Sequence, residues 1–375
     1  MKKMNSGRLR IAMLGQKHSF SREGGIEVAV GELAGRMARL GHKVTLLDRS
    51  PRPSRSAAPC AEGLEIRCVP TLGRGGLAAL TSSFFGAVRA AFGKYDVVHF
   101  HAEGPAAMCL IPRLLGKRVV CTVHGLDWQR EKWGRLARAY IKLGEKLAAR
   151  YAHEMIVLNN DTRDHFLKTY RRETRVIPNG ANPAPEAPAR LIRQAWGLEK
   201  DGYVLFVGRL VPEKGLRLLL KAWKKLKTDT TLVIAGGGAS ESFMGELASL
   251  AGENVLFTGF VEGQALSELY CNCRLFVLPS DLEGMPLALL EALSSGCCCL
   301  ASDIPACRET ARDKAVYFER GSESSLIKAL QTLLDSPGTV SRYREGAKEF
   351  VLSNYDWDDV VRKTLAAYLG AETDA

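Results

Sequence analysis

Short apolar runs rich in β-branched residues recur along the whole chain with helical stretches between them, and that alternation restricts the fold more than any other feature. In the first half the runs are Arg10–Leu14, Lys43–Asp48, Asp96–His101, Arg118–Val123 and Glu154–Leu158. The second half repeats the plan with Tyr203–Val207, Thr231–Ala235, Asn254–Thr258, Arg274–Leu278 and Cys298–Ala301. Strands separated by helices pair in parallel and need helices on both faces. The pattern therefore predicts an α/β fold of two doubly wound, Rossmann-like domains facing across a cleft, with the ligand where strand C-terminal ends meet. A length of 375 residues suits two domains better than one core. The Pro/Ala-rich stretch Asn182–Pro188 is the expected linker, which gives domains 1–185 and 186–355 and a tail 356–375.

Charge divides unevenly between these halves. Residues 1–185 hold 31 Lys and Arg against 15 Asp and Glu, a net of +16, while 186–375 hold 21 against 26, a net of −5. A basic half implies an acidic partner, such as a phosphorylated substrate or an anionic lipid. A nucleic-acid binder would explain the basic half but not the acidic one, and no recognised nucleic-acid motif appears. No run of about eighteen apolar residues predicts a membrane span. The basic start, Met1 to Arg10, leads into a strand and not into a signal-peptide core, and the ten cysteines form no Cys-x-x-Cys pair. They read as small buried residues of a reducing compartment, so a cytoplasmic location is expected.

Residues 280–296 read Ser-Asp-Leu-Glu-Gly-Met-Pro-Leu-Ala-Leu-Leu-Glu-Ala-Leu-Ser-Ser-Gly. Pro286 suits a first helical position and Gly296 a helix stop, so backbone amides at Met285 and Leu287 are expected to project from a positive helix end. Glu283 precedes those amides and Glu291 lies more than a turn beyond. Carboxylates accept from paired hydroxyls, and a phosphate group with a polyol at each end describes a sugar nucleotide. For Glu291 alone, a solvated helical glutamate is the plain alternative.

Three other segments carry candidate chemistry. Val207–Gly215 follows a strand and places Arg209 and Lys214 on one glycine-flanked loop, which suits a diphosphate. Gly24-Gly25-Ile26-Glu27 opens a long helix, where the glycines bring amides against an anion and Glu27 faces either an acceptor or the helix dipole. Thr122–Trp128 ends a strand with His124 at its rim. Three readings of Asp127 stand: orienting His124, binding an acceptor, or capping the next helix. His99 and His101 read as structural.

The 280–296 segment resembles the Glu-x7-Glu signature of retaining glycosyltransferases of family four, which have the two-domain GT-B fold. The Gly-Arg-x-x-x-x-Lys-Gly spacing at 208–215 is similar to the same family's diphosphate motif. The resemblance implies that Glu283 contacts hydroxyls of the donor sugar, that Glu291 holds the nucleotide ribose, and that Arg209 and Lys214 hold the pyrophosphate. It gives Gly25 a place beneath the donor phosphate and acceptor, and brings His124 to the sugar's primary hydroxyl and the reacting centre. It also implies a terminal helix after Asn354 that crosses back onto the first domain. The chain departs from common family spellings at Ala235–Gly238 and Pro178–Asn182.

The expected reaction is hexosyl transfer from a nucleotide-diphosphate sugar to a glycan or lipid-linked acceptor, with retention and with no metal or other cofactor. Asp356-Trp357-Asp358 has the form of a metal-binding Asp-x-Asp, but its place at a helix start reads as capping. From Arg130 to Tyr151, Arg135, Arg138, Lys142, Lys146 and Arg150 share one helical face. Trp133, Leu136, Tyr140, Leu143 and Leu147 share another, expected to pack on the domain. The basic face suits an anionic membrane surface, hence a peripheral place on the inner face of the cell membrane. Two rivals remain at this level, a nucleotide-sugar epimerase of the same fold and a non-catalytic sugar-nucleotide-binding protein.

Overall fold

A computed structural model describes residues 7–50 and 62–371. The first residues of the basic start, and Cys60, lie outside them. The chain forms two compact units, Met1–Gly180 with Trp357–Ala375, and Ala181–Asp356.

The first unit contains β1 (Arg10–Leu14), β2 (Lys43–Arg49), β3 (Leu64–Val69), β4 (Val97–His101), β5 (Arg118–Val123), β6 (Glu154–Val157) and β7 (Arg175–Val176). They form one parallel sheet in the order β3-β2-β1-β4-β5-β6-β7. Alternating side chains build a core on each face. Ile11 and Met13 of β1 join Met37, Leu46 and Val97 on one side, while Ala12 and Leu14 join Val98, Phe100 and Val119 on the other. The helix Trp357–Leu369 belongs to the first of these cores through Trp357, Val361 and Tyr368. Gly180 makes room for it, because a Cβ there would lie 2.5 Å from the Trp357 ring.

The second unit contains β8 (Tyr203–Val207), β9 (Thr231–Ala235), β10 (Val255–Gly259), β11 (Leu275–Leu278), β12 (Cys299–Ser302) and β13 (Ala315–Phe318). Its parallel order is β10-β9-β8-β11-β12-β13. Val204, Leu205, Phe206, Phe276, Val277 and Leu300 are fully buried in it. Each such side chain contributes roughly 1.5–3 kcal/mol by leaving water. In both units the strand order reverses direction beside the first strand, between β1 and β4 and between β8 and β11. Such a switch point leaves a crevice at the strand C-terminal ends.

Two expectations are corrected. Pro286 is the residue before the helix Leu287–Ser294 and not its first residue, since its backbone is extended. The apolar stripe of the basic helix Arg135–Tyr151 does not all pack inward: Leu136 is 89% and Leu143 50% exposed. The buried face is instead Ile141, Gly144, Glu145, Ala148 and Ala149. Gly144 explains the rotation, because a Cβ there would stand 2.0 Å from the Glu103 carbonyl oxygen and the helix can approach the short helix Glu103–Ala106 only along its small-residue face. Asp358 of the helix Trp357–Leu369 also pairs with Arg36 at 2.5 Å. Among the described residues no helix is long and apolar enough to cross a membrane.

Candidate functional site

In the second unit the site residues come from two loops at the switch point. Gly215 has φ +70° and a Cβ on it would meet the Pro279 carbonyl oxygen at 1.9 Å, so glycine lets the β8 loop rest directly on the end of β11. The Asp281 N–H donates to the Glu213 carbonyl at 2.9 Å and ties the loops together. This contact delivers Lys214 to Glu283. Lys214 Nζ lies 2.5 Å from Glu283 Oε1, with the side chains 14% and 9% exposed. Ser280 Oγ donates to the same carboxylate oxygen at 2.7 Å. The motif spacing assigned these two residues to different parts of a ligand; here they hold one another.

Glu291 points to Tyr270, whose hydroxyl donates to Oε2 at 3.1 Å. It is therefore a fixed carboxylate and not a freely solvated one. The backbone carbonyl of Tyr270 in turn receives the thiols of Cys273 and Cys297 at 3.3 and 3.1 Å. Leu289 and Leu290 donate to the Pro286 carbonyl at 3.0 and 3.2 Å, which leaves the Leu287 amide among those the helix itself does not use. Met285 is buried and makes a contact of its own within the protein. Arg209 is half-buried at the start of the same loop and is also engaged.

In the first unit the ends of β1, β4 and β5 meet. Gly25 begins the helix Gly25–Arg39, as expected, after an extended Gly24. Glu27 is buried and accepts the Lys17 N–H at 3.1 Å, so it folds the glycine loop over its own helix start. Asp48 helps to hold the same loop. Fully buried, it accepts the Ser19 N–H at 2.8 Å and the Ser19 hydroxyl at 2.5 Å. Sequence reasoning did not single out Asp48, although an acid at the end of an apolar strand was the available signal.

His124 is half-buried beyond β5 and its partner is a histidine. His101 Nδ1 and His124 Nε2 are 3.1 Å apart. Burial pushes His124 down to about 4, partly offset by Asp127, and pushes His99 down to about 3. Asp127 pairs with Arg130 at 2.8 Å and opens a three-residue turn without capping it. Its N–H donates to Glu103 Oε2 at 3.0 Å. Burial, and then the charge of Asp127, raise the Glu103 carboxyl well above its usual range. Nearby, Glu145 accepts from Trp128 Nε1 at 2.9 Å and from His165 at 2.8 Å, and so anchors the turn to the basic helix. Trp128, Gln129, Arg135, Arg138, Ala139 and Lys142 line a cavity of about 570 Å³, with Lys142 Nζ 4.2 Å above the Trp128 ring.

The twin Rossmann-like units thus each carry a switch-point site, one with a paired lysine and carboxylates and one with a histidine at its rim. Residues 23–184 match Glycosyltransferase Family 4 and residues 189–350 match Glycosyl transferases group 1. An uncharacterized glycosyltransferase of Bacillus subtilis is 31% identical over 255 residues, 65% of this chain and 68% of that one. The UDP-Gal:alpha-D-GlcNAc-diphosphoundecaprenol alpha-1,3-galactosyltransferase of Escherichia coli is 32% identical over 232 residues, 56% of this chain and 58% of that one. Among solved structures, Anabaena Alr3699/HepE in complex with UDP and glucose superposes with a TM-score of 0.81 at 17% identity, over 96% of this chain and 98% of that one. The chain belongs to the family 4 glycosyltransferases, and its fold is GT-B.

Proposed function

We propose that the enzyme moves a hexosyl group from a nucleotide-diphosphate sugar to a glycan or lipid-linked acceptor, with retention and without a metal ion, in envelope polysaccharide synthesis. The observation that carries the donor reading is the Lys214–Glu283 pair. A largely buried ion pair is costly to build and is retained where each charge has a further role. Sugar hydroxyls are the natural donors to Glu283, and a leaving diphosphate is the natural partner of Lys214. Donor entry exchanges one pairing for two, with both groups already in position. Arg209 and the Leu287 amide add positive potential for the charge that develops as the glycosyl bond breaks. Glu291, steadied by Tyr270, takes the ribose. The UDP and glucose held by the Anabaena protein are consistent with this donor class.

In the first unit we assign His124 to the reacting sugar, and Gly25 with the loop that Glu27 folds to the phosphate and acceptor side. On the front face of the sugar the donor C–O bond breaks, the acceptor C–O bond forms, and the acceptor proton passes to the leaving phosphate. Trapping a covalent glycosyl-enzyme would overturn that step. The acceptor reading rests on the basic helix, where Arg135, Arg138 and Lys142 stand beside the exposed Leu136 and Leu143. Cations next to apolar groups suit a phosphate ester of a long apolar chain at an anionic membrane surface. The Escherichia coli relative's name includes such a substrate.

The donor test uses Glu283→Ala and calorimetric titration with UDP and with UDP-glucose, and with GDP and GDP-mannose. The variant releases Lys214 from its partner, so bare-nucleotide affinity is expected to hold or rise while the added affinity due to the sugar disappears. Equal losses for both ligands would refute the assignment.

A further inference from the structure

Three histidines converge at the ends of β4 and β5, and only His124 has so far been given a role. We propose that His101 is a positioning residue that fixes the ring of His124 as its Nδ1–H tautomer through the bond between the two rings. This rests on the assignment of His124 to the reacting centre.

The bond joins His101 Nδ1 to His124 Nε2 at 3.1 Å, with ring centroids 5.4 Å apart and planes 34° from parallel. It needs one nitrogen to donate and the other to present a lone pair, so the accepting ring must be neutral. Burial keeps both rings neutral near pH 7. Each then has a single N–H, and two arrangements satisfy the bond. The far side of His101 decides between them. Its Nε2 is buried and has no hydrogen-bond partner among the described residues. If His124 donated, His101 would have its only N–H on that nitrogen, and a bare buried N–H is rarer than an unused acceptor. The favoured arrangement has the His101 N–H on Nδ1, donating to His124 Nε2. The proton of His124 is then on Nδ1, where it can donate to a substrate oxygen.

The surroundings hold His101 for this purpose. A Cβ on Gly15, φ +123°, would fall 2.0 Å from the His101 carbonyl oxygen, so the end of β1 closes on this strand only because the residue is glycine. Ala102 adopts φ 76° and ψ 156°, a region that side chains rarely enter, and donates its N–H to the Thr122 carbonyl at 2.9 Å. His99 lies 4.1 Å from the His101 ring. It is clamped by Tyr368 and Thr122, each at 2.7 Å. The helix Trp357–Leu369 thereby supports the ring that orients His124.

Long-range proton–nitrogen NMR spectra of the full chain with 15N-labelled histidine read the tautomer directly, with His124→Gln used for assignment. The expected result is Nδ1–H at His124 in the unaltered protein. An Nε2–H ring there overturns the proposal. In His101→Phe the His124 tautomer is expected to shift and kcat to fall about 10²-fold, with little change in donor KM. His101→Asn keeps an N–H near the Nδ1 position and is expected to restore most of kcat. An unchanged tautomer in His101→Phe refutes the proposal. The spectrum needs no substrate, so it is independent of the transferase assignment, which fails instead if the unaltered enzyme transfers no sugar from any nucleotide donor.

Discussion

Where the middle strands of the first unit end, His99, His101, Asp48 and Glu103 are buried and His124 is half-buried; where those of the second end, one lysine and two glutamates stand over an apolar floor. The strand order around the two places is the same. All 7 histidines of the chain fall before residue 180, and the second unit has none. The fold thus sets where a crevice opens, and the side chains set what it can do. The first unit is built to hold neutral hydrogen-bonding groups in one tautomer and orientation. The second holds a pair of opposite charges, Lys214 and Glu283, which the proposed donor would separate.

Glycine substitutions break the comparison most sharply. Gly215→Ala puts a Cβ 1.9 Å from the Pro279 carbonyl, and Gly15→Ala puts one 2.0 Å from that of His101. Both residues have positive φ, so strain and overlap add, at a cost of about 2 kcal/mol or more. Each change is expected to abolish transfer, but only Gly215→Ala should abolish nucleotide binding in calorimetry. If Gly15→Ala loses it equally, the division of labour between the units is wrong.

Acid should separate them next. Burial holds His99 at about 3, His124 and His153 at about 4, and His101 well below its ordinary value. A group depressed on folding contributes stability that is complete above its unfolded value near 6.5 and lost as pH falls toward the folded one. Burial lowers His42 as well, and Glu103, raised on folding, acts in the opposite sense, five imidazoles against one carboxyl. Between pH 6.5 and 4 the first unit is therefore expected to weaken by up to about 1 kcal/mol per pH unit for each fully buried, uncompensated histidine, His99 and His101, and by less for the partly exposed ones. Hydrogen exchange resolved by segment should show residues 97–124 opening before 203–278. The reverse order would contradict the histidine account.

Most of this architecture was legible in the sequence because central strands are buried on both faces and read as apolar runs. The strands that escaped notice are Leu64–Val69, Arg175–Val176 and Ala315–Phe318, and each lies at a sheet edge. Leu64–Val69 is largely exposed and includes Glu65 and Arg67, so it has no continuous apolar signal. At the site, the sequence put Glu283 in the loop before the helix Leu287–Ser294, Glu291 inside that helix and Lys214 on the segment after β8, where the structure has them. It did not reveal that Lys214 and Glu283 pair, or that His101 holds His124, because both contacts join segments far apart in the chain. The rotation of the basic helix was hidden for a related reason: Gly144 decides it, and a glycine has no apolar signal.

The smallest expected effect concerns the surface of the first unit, which has no counterpart in the acidic second. Arg135, Arg138 and Lys142 are exposed on the helix beside Leu136 and Leu143, and no carboxylate is paired with them among the ion pairs of the described residues. Replacing all three cations by glutamine should change thermal stability by no more than about 0.5 kcal/mol for each site. Each cation near an anionic bilayer contributes about 1 kcal/mol, so loss of three predicts a fall in vesicle partitioning of roughly 10²-fold. Flotation with phosphatidylglycerol-containing and pure phosphatidylcholine vesicles reads this directly. Binding that is equal on both, or absent from both, removes the membrane surface from the acceptor reading and leaves the donor chemistry of the second unit untouched.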